Sequence, residues 1–469
     1  LDLNERAVQW VGDKTWVYRV SFPSPPSSSS GDTFTTDLVF EGLDTFASVT
    51  LNSVEVLQTD NMFMSYRVDV TSHIKTGEDN LLEITFDSAL LRGRQLVKDH
   101  SHEHKFLVRQ TEAGRLPVRK AQYNWGWDWG PILMTAGPWK PVLLEHYVAK
   151  VDDVWAQYEL SGDLQSCSGV IFAKTAGTLQ EGDQLQLSLS IDDEVQFQQQ
   201  VAVDKEHLTQ VAFEIHRPKL WWPLGYGEQS RYQLQAKLVS RDNAKGLSAL
   251  SKLTGFRKTA LVQTPDAYGK SFYLRVNDVD VFCGGSCWIP TDSFQASISA
   301  QRCRDWMALM ARSNQVMLRV WGGGVYEHDA LLDAADEMGV MILHDFQFAC
   351  GSYPAYESYL ASFEAEARQQ IRRLRTHPAV VVWAGNNEDY QVQERYKLDY
   401  DLDVKDPEAW RKSSFPARYI YEYLLPKLVE EEHPHMIYHP SSPWGDGRPT
   451  ADPTVGDIHQ WNSKYSLAK

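Results

Sequence analysis

The stretch VVVWAGNNEDY, residues 380–390, decides the fold. An apolar run ends at Gly385 and is followed at once by two asparagines, a glutamate and an aspartate. A continuous apolar run of this length suits a strand covered on both faces, as in a parallel sheet. Such a strand projects Asn386, Asn387 and Glu388 from its C-terminal tip. The same texture recurs upstream. QVMLRVW (315–321) and VMILHDF (340–346) read as strands. HDALLDAADEMG reads as a helix stopped by Gly339. YESYLASFEAEARQQIRRLRTH reads as a long amphipathic helix with Tyr359, Phe363, Ala367 and Ile371 on one side. Strands alternating with helices predict a (β/α)8 barrel or an open doubly wound sheet.

Chemistry-bearing residues gather behind the strands, in CWIPTDSF, RVWGGGVYE, HDFQFACGSYP and WAGNNED. In a barrel those loops share one rim, where active sites sit. A barrel takes typically about 250 residues, and fewer than that follow Arg257. The reading therefore predicts an incomplete TIM barrel over residues 258–469. HMIYHP and GDIHQW are its candidate fifth and sixth strands, and the remainder is expected on polypeptide beyond this chain. The opening LDLNERAVQW reads as mid-domain sequence, so a preceding segment is expected too.

Upstream of Arg257 the periodicity changes to two. DQLQLSLSIDDEVQF places Leu185, Leu187 and Leu189 on one face, and RYQLQAKLVS repeats the pattern. DTFASVTLNSVEV alternates around Asn52-Ser53, a hairpin signal. SFPSPPSSSSGD is a Pro/Ser loop. Residues 1–147 and 148–257 are predicted to form two all-β sandwiches.

Composition narrows the function. A net charge of −16 argues against a nucleic-acid partner, and no run of about 18 apolar residues suggests a membrane span. Sixteen tryptophans fit either large aromatic cores or flat platforms for sugars. Five cysteines, an odd and sparse set, do not form a disulfide framework and are expected to be reduced and mostly buried. No Asn-x-Ser/Thr acceptor occurs. Both features point towards an intracellular (cytoplasmic) protein, with a secreted form still open. His433, His435 and His439 invite a metal reading, but Pro434 interrupts them and no ligand spacing supports it. No metal or cofactor is predicted. The triple glycine at 322–324 lacks the Lys-Ser/Thr ending of a phosphate loop. It is read as letting backbone pass close to a ligand.

YNWGWDWGP (123–131), WWPLGYGEQSRY (221–232), GFR (255–257), RVWGGGVYE (319–327) and WAGNNE (383–388) together resemble glycoside hydrolase family 2, in particular β-mannosidases of the fungal intracellular type. The resemblance runs along nearly the whole chain. It implies a jelly-roll-like sugar-binding sandwich, an immunoglobulin-like sandwich and a catalytic barrel. It also implies retaining hydrolysis of terminal β-mannose from a mannoside or manno-oligosaccharide. Glu388 would be the general acid/base, and the nucleophile a second glutamate beyond Lys469. Glu430, Glu431 and Glu432 do not fit that second role, because LVEEEHPH reads as a solvated helix end.

Retaining glycosidases need two carboxyls roughly 5 to 5.5 Å apart. The donor must keep its proton, so partial burial and a neighbouring carboxylate are expected to raise the Glu388 pKa. The plainer alternative is that Glu388 caps the following helix. Asn387 would bond the sugar 2-hydroxyl, or serve as a turn residue. Arg319 would orient the nucleophile through two parallel bonds, or form a structural ion pair. Asp128, expected to be buried among aromatics, would reach across to hydroxyls at the far edge of the mannose, or simply lock its loop. Trp127, Trp321 and Trp461 are candidate pocket walls. One departure stands out: GGSCW carries Cys287 where the family usually has Asn. Two other readings remain. One is a different family 2 exo-glycosidase (β-galactosidase, β-glucuronidase or exo-glucosaminidase). The other is a non-catalytic carbohydrate-binding protein.

Overall fold

The computed structural model describes residues 4–26, 33–241 and 246–460. In the first unit, a four-stranded antiparallel sheet runs in the order Trp16–Pro23, Asp79–Phe86, Ala47–Leu51, Val54–Thr59. A three-stranded antiparallel sheet, ordered Val142–Tyr147, Thr35–Phe40, Tyr66–Asp69, shares a core with it through Phe40, Val49, Leu51, Ile84 and Phe86. The hairpin at Asn52-Ser53 forms as the alternation predicts. Both turn residues take positive φ, 51° and 71°, which matches the twist of the paired strands.

The second unit pairs a three-stranded sheet (Ala149–Leu160, Ser166–Gly177, Leu208–His216) with a four-stranded one (Glu194–Ala202, Gln184–Ile191, Tyr232–Val239, Gly246–Thr254). Leu185, Leu187 and Leu189 all point into the shared core and are fully buried.

After Arg257 the chain first makes a small antiparallel sheet, Thr259–Val262, Tyr273–Val276 and Val279–Val281, which the periodicity did not announce. Five parallel strands follow in chain order: β1 (Gly285–Trp288), β2 (Met317–Val320), β3 (Met341–Asp345), β4 (Val380–Ala384) and β5 (Ile437–His439). Between them lie α1 (Ala300–Arg312), α2 (Asp329–Met338), α3 (Glu357–Leu374) and α4 (Asp389–Tyr396). Gly339 ends α2 with φ 75°, the left-handed cap that glycine adopts without a Cβ clash. Tyr359, Phe363, Ala367 and Ile371 of α3 are buried, and β4 is buried along its whole length.

Two expectations are corrected. GDIHQW is not a sixth strand among the described residues: Asp457 makes one isolated bridge to Trp444, and the chain is irregular through Gln460. Its polar side chains are spent on the rim, as described below. LVEEEHPH is only partly solvated. Glu430 and Glu431 are exposed, but Glu432 is buried and bound by Arg368 and Arg372 of α3. The three histidines separate. His439 bonds Asp457, His435 faces Glu159, and His433 is held neutral to about pH 3, chiefly by burial. All five cysteines are free. Cys167, Cys303 and Cys350 are buried and Cys283 is half-buried, but Cys287 is exposed. No helix among the described residues is long and apolar enough to cross a membrane.

Candidate functional site

β4 delivers Glu388 in the left-handed conformation, φ 65°, which a non-glycine residue seldom holds. The residue stands at the N-cap of α4, yet its side chain makes no capping bond. Glu388 thus caps the helix through its carbonyl, which accepts from Gln391 N and Val392 N, and not through its carboxylate. The buried carboxylate turns into the rim instead. Its Oε1 lies 2.8 Å from His459 Nδ1, while Oε2 accepts from Arg109 Nη1 at 2.9 Å and from the Cys350 thiol at 3.2 Å.

Burial opposes the charge on Glu388. The bond and charge of His459, then the Cys350 thiol and Arg109, outweigh it and hold the carboxyl below the ordinary glutamate value. This reverses the expected upward shift. The expectation needed a facing carboxylate, and the groups bonded to Glu388 among the described residues are donors. Behind it stands a chain of bonds from the loop after β5. Ser442 Oγ lies 3.1 Å from His459 Nε2 and donates to Asp457 Oδ2 at 2.6 Å, while His439 Nε2 holds Asp457 Oδ1 at 2.7 Å. These partners keep Asp457 down at about 2, against its burial.

Asn387 is buried beside Glu388. Its Oδ1 accepts from Arg319 Nη2 at 3.0 Å, which fixes the amide NH2 as the donor side, and that NH2 donates to Cys350 Sγ at 3.5 Å. Arg319 meets Asp345 twice, Nη2 to Oδ2 at 2.6 Å and Nε to Oδ1 at 3.3 Å. The paired edge of the guanidinium is therefore occupied, and the ion-pair alternative describes the observed Arg319. Its Nη1 lies 3.9 Å from Cys287 Sγ, at the position where the resemblance expects an amide.

The first sandwich supplies the opposite wall. Trp125–Trp127 and Gly130–Ile132 form a short hairpin. The rings of Trp127 and Trp129 meet Trp321 edge to face, with centroids 4.8 and 5.5 Å apart. The Tyr123 amide donates to Gly323 O at 3.0 Å, and Arg115 lies over the Trp127 ring while binding the carbonyls of Ala349 and Cys350. The expectation for Asp128 is corrected. It sits at the exposed hairpin tip, between the half-buried Trp127 and Trp129, which touches Trp321 with one edge and is itself largely exposed. The glycine reading is corrected too. A Cβ on Gly323 would strike the Trp321 ring at 1.9 Å, and one on Gly322 would strike Phe348 O at 2.4 Å, so these glycines make room for protein. Trp461 lies outside the described residues.

Sequence reasoning missed Arg109, Cys350 and His459. His459 and Cys350 stood in motifs already flagged, but nothing near Arg109 in the sequence marks it. The arrangement presents one ionised carboxylate and one oriented amide at the C-terminal end of a parallel strand, faced by an aromatic wall that Trp321 and the hairpin of the first sandwich share. That is a place for a polar ligand with an apolar face.

Two family models match this chain. The glycosyl hydrolase 2 galactose-binding domain-like model covers residues 1–140, and the glycosyl hydrolases family 2 model covers residues 149–257. The chain belongs to glycosyl hydrolase family 2. Among curated relatives, it is 48% identical over 464 residues to β-mannosidase B of Emericella nidulans, covering 98% of this chain and 54% of that protein. It is 46% identical over 462 residues to β-mannosidase B of Aspergillus clavatus, with the same coverage. The crystal structure of a β-D-mannosidase from Dictyoglomus thermophilum matches with a TM-score of 0.86 at 32% identity, over 99% of this chain and 55% of that one. An exo-chitosanase of Amycolatopsis orientalis, at 18% identity and a TM-score of 0.66, shares the fold. The chain spans about half the length of the curated relatives it matches.

Proposed function

We propose that this chain is part of a retaining exo-β-mannosidase that hydrolyses terminal, non-reducing β-D-mannose by double displacement. Glu388 is the general acid/base. The nucleophile is a glutamate on polypeptide following residue 469, and the five parallel strands are the first part of a (β/α)8 barrel that this polypeptide completes. Residues 1–147, 148–257 and 258–469 are its three units here, and the enzyme works inside the cell. The observation that carries the reading is Glu388 itself: a buried carboxylate at a parallel strand's tip, in a strained backbone conformation, with a side chain that makes no capping bond to the helix it precedes. The likeness to proteins named β-mannosidase supports the choice of sugar.

In the first step Glu388 protonates the leaving oxygen while the nucleophile attacks the anomeric carbon. In the second it takes a proton from water. Bringing a second carboxylate close raises the Glu388 pKa, so that Glu388 takes up from solvent the proton it later donates. The Asn387 NH2, steered by Arg319, donates to the 2-hydroxyl. Trp127 and Trp321 line the sugar's apolar face, and the exposed Asp128 closes on its far hydroxyls.

The test uses the intact enzyme and a panel of nitrophenyl glycosides. Turnover of the mannoside above the galactoside, glucuronide and glucosaminide is expected, and preference for another sugar overturns the assignment. Glu388→Gln is expected to spare substrates with good leaving groups, which need little protonation. Equal losses on good and poor leaving groups would remove Glu388 from the acid role.

A further inference from the structure

Among the described residues, the first sandwich touches the Glu388 carboxylate through one side chain, Arg109, which is held in place by bonds its backbone neighbours make. His104 Nε2 lies 3.0 Å from Ser352 O, Ser352 N donates to Leu107 O at 2.8 Å, and Arg109 N donates to Cys350 O at 3.1 Å. The Tyr396 hydroxyl, at the end of α4, donates to Val108 O at 3.1 Å. The backbone of residues 107–109 is thus laid along the loop after β3. From it the guanidinium reaches Glu388 Oε2 at 2.9 Å and Gln391 Oε1 at 3.4 Å, with a third of the side chain still exposed.

We propose that Arg109 is a positioning residue, with which the first sandwich holds the Glu388 carboxylate charged and in place until substrate arrives. The proposal rests on Glu388 being the acid/base. A guanidinium has donors only. Oε2 cannot carry a proton towards a leaving group while Arg109 Nη1 and the Cys350 thiol both point at it. Arg109 must swing out for the acid to load, and its exposed edge gives it somewhere to go. A single-point contact permits that release, whereas a two-point fork would resist it.

Of the other ionisable groups around Glu388, Asp389, Arg319 and Arg115 are committed elsewhere. Asp389 binds Gly351 N and the Tyr421 hydroxyl, and burial pushes its carboxyl up to about 8. Arg319 is paired with Asp345 across Asn387. Arg115 is spent on carbonyls, Gln122 and Tyr353. His459 approaches the other oxygen. Arg109 is therefore the cation at Oε2 that can be removed without dismantling a second pair.

The test is the pH dependence of kcat/KM for a mannoside in the intact enzyme carrying Arg109→Met or Arg109→Lys. The alkaline limb reports proton loss from the acid. It is expected to move up by about one unit in Arg109→Met, the low end for one nearby opposite charge. It should stay near the native position in Arg109→Lys. If Arg109→Met does not fold, Arg109→Gln gives the same reading. An unmoved limb in a variant whose Glu388→Gln control still shows leaving-group dependence overturns the proposal and leaves the proposed function standing. A second arm needs no substrate. The infrared carboxylate band of the intact enzyme that is missing in Glu388→Gln is followed with pH. Its midpoint is expected to rise in Arg109→Met, and an unchanged midpoint overturns the proposal whatever sugar the enzyme takes. Absence of mannoside turnover in the native enzyme would sink the functional reading, and the infrared arm would still decide Arg109.

Discussion

Two buried glutamates each meet an arginine from the first sandwich, and they are built for opposite purposes. Glu366, inside α3, is fully buried and forked by Arg119, with Nε to Oε2 at 2.8 Å and Nη2 to Oε1 at 2.6 Å. Asn61 Nδ2 and the Tyr326 hydroxyl add bonds at 2.9 and 2.7 Å, and the Arg119 guanidinium lies 4.4 Å from the Phe348 ring centroid. Glu388 meets Arg109 at one point, beside a weakly donating thiol and the His459 imidazole. One carboxylate is saturated and fixed. The other is held by partners that can let go. The difference separates an anchor between units from the group proposed to exchange a proton.

The largest expected effect tests the second half of that contrast. Glu388→Gln should cost roughly a thousandfold in kcat on natural mannosides, with far less change in the denaturation midpoint. A variant that loses stability and activity together would place Glu388 with Glu366 instead. Next, Arg119→Met should destabilise by about 3 to 5 kcal/mol, because it strands a buried carboxylate. Urea denaturation measures it, and a loss under about 1 kcal/mol would deny the anchor role. Arg109→Met should leave stability close to native, since the pair is partly exposed, while shifting the pH profile as described above.

The smallest effect is in acid. The folded-state pKa of Glu388 lies below its unfolded value, so its contribution to stability is full above about pH 4.5 and fades as pH falls through the lower folded value. The stability gap between native chain and Glu388→Gln should shrink over that acid range. A gap that widened there would reverse the sign of the Glu388 shift.

Burial periodicity made the strands, α2, α3 and the second sandwich readable, because alternation and helical spacing report directly which faces leave water. Partner choice was not readable in the same way. Glu388 lies 71 residues from His459 and 279 from Arg109, and no local pattern encodes either contact. Asp128 shows the limit from the other side. Its aromatic neighbours suggested burial, but in a tight hairpin only Trp127 is half-buried, and Asp128 and Trp129 at the tip stay in solvent. Glu432 was misread for a related reason: the arginines that bury it come from α3, a separate helix.

The hairpin of Trp125–Ile132 has an implication for how such proteins can be recombined. Its rings rest on Trp321, its neighbour Tyr123 is fastened to Gly323, and room for both contacts depends on residues that lack a Cβ. A parallel unit transplanted behind a foreign sandwich would arrive with one wall of its pocket missing and Trp321 bare. Shuffling at the boundary near residue 257 should therefore yield chimaeras that fold more often than they recognise a sugar, and lineages should inherit the two pieces together.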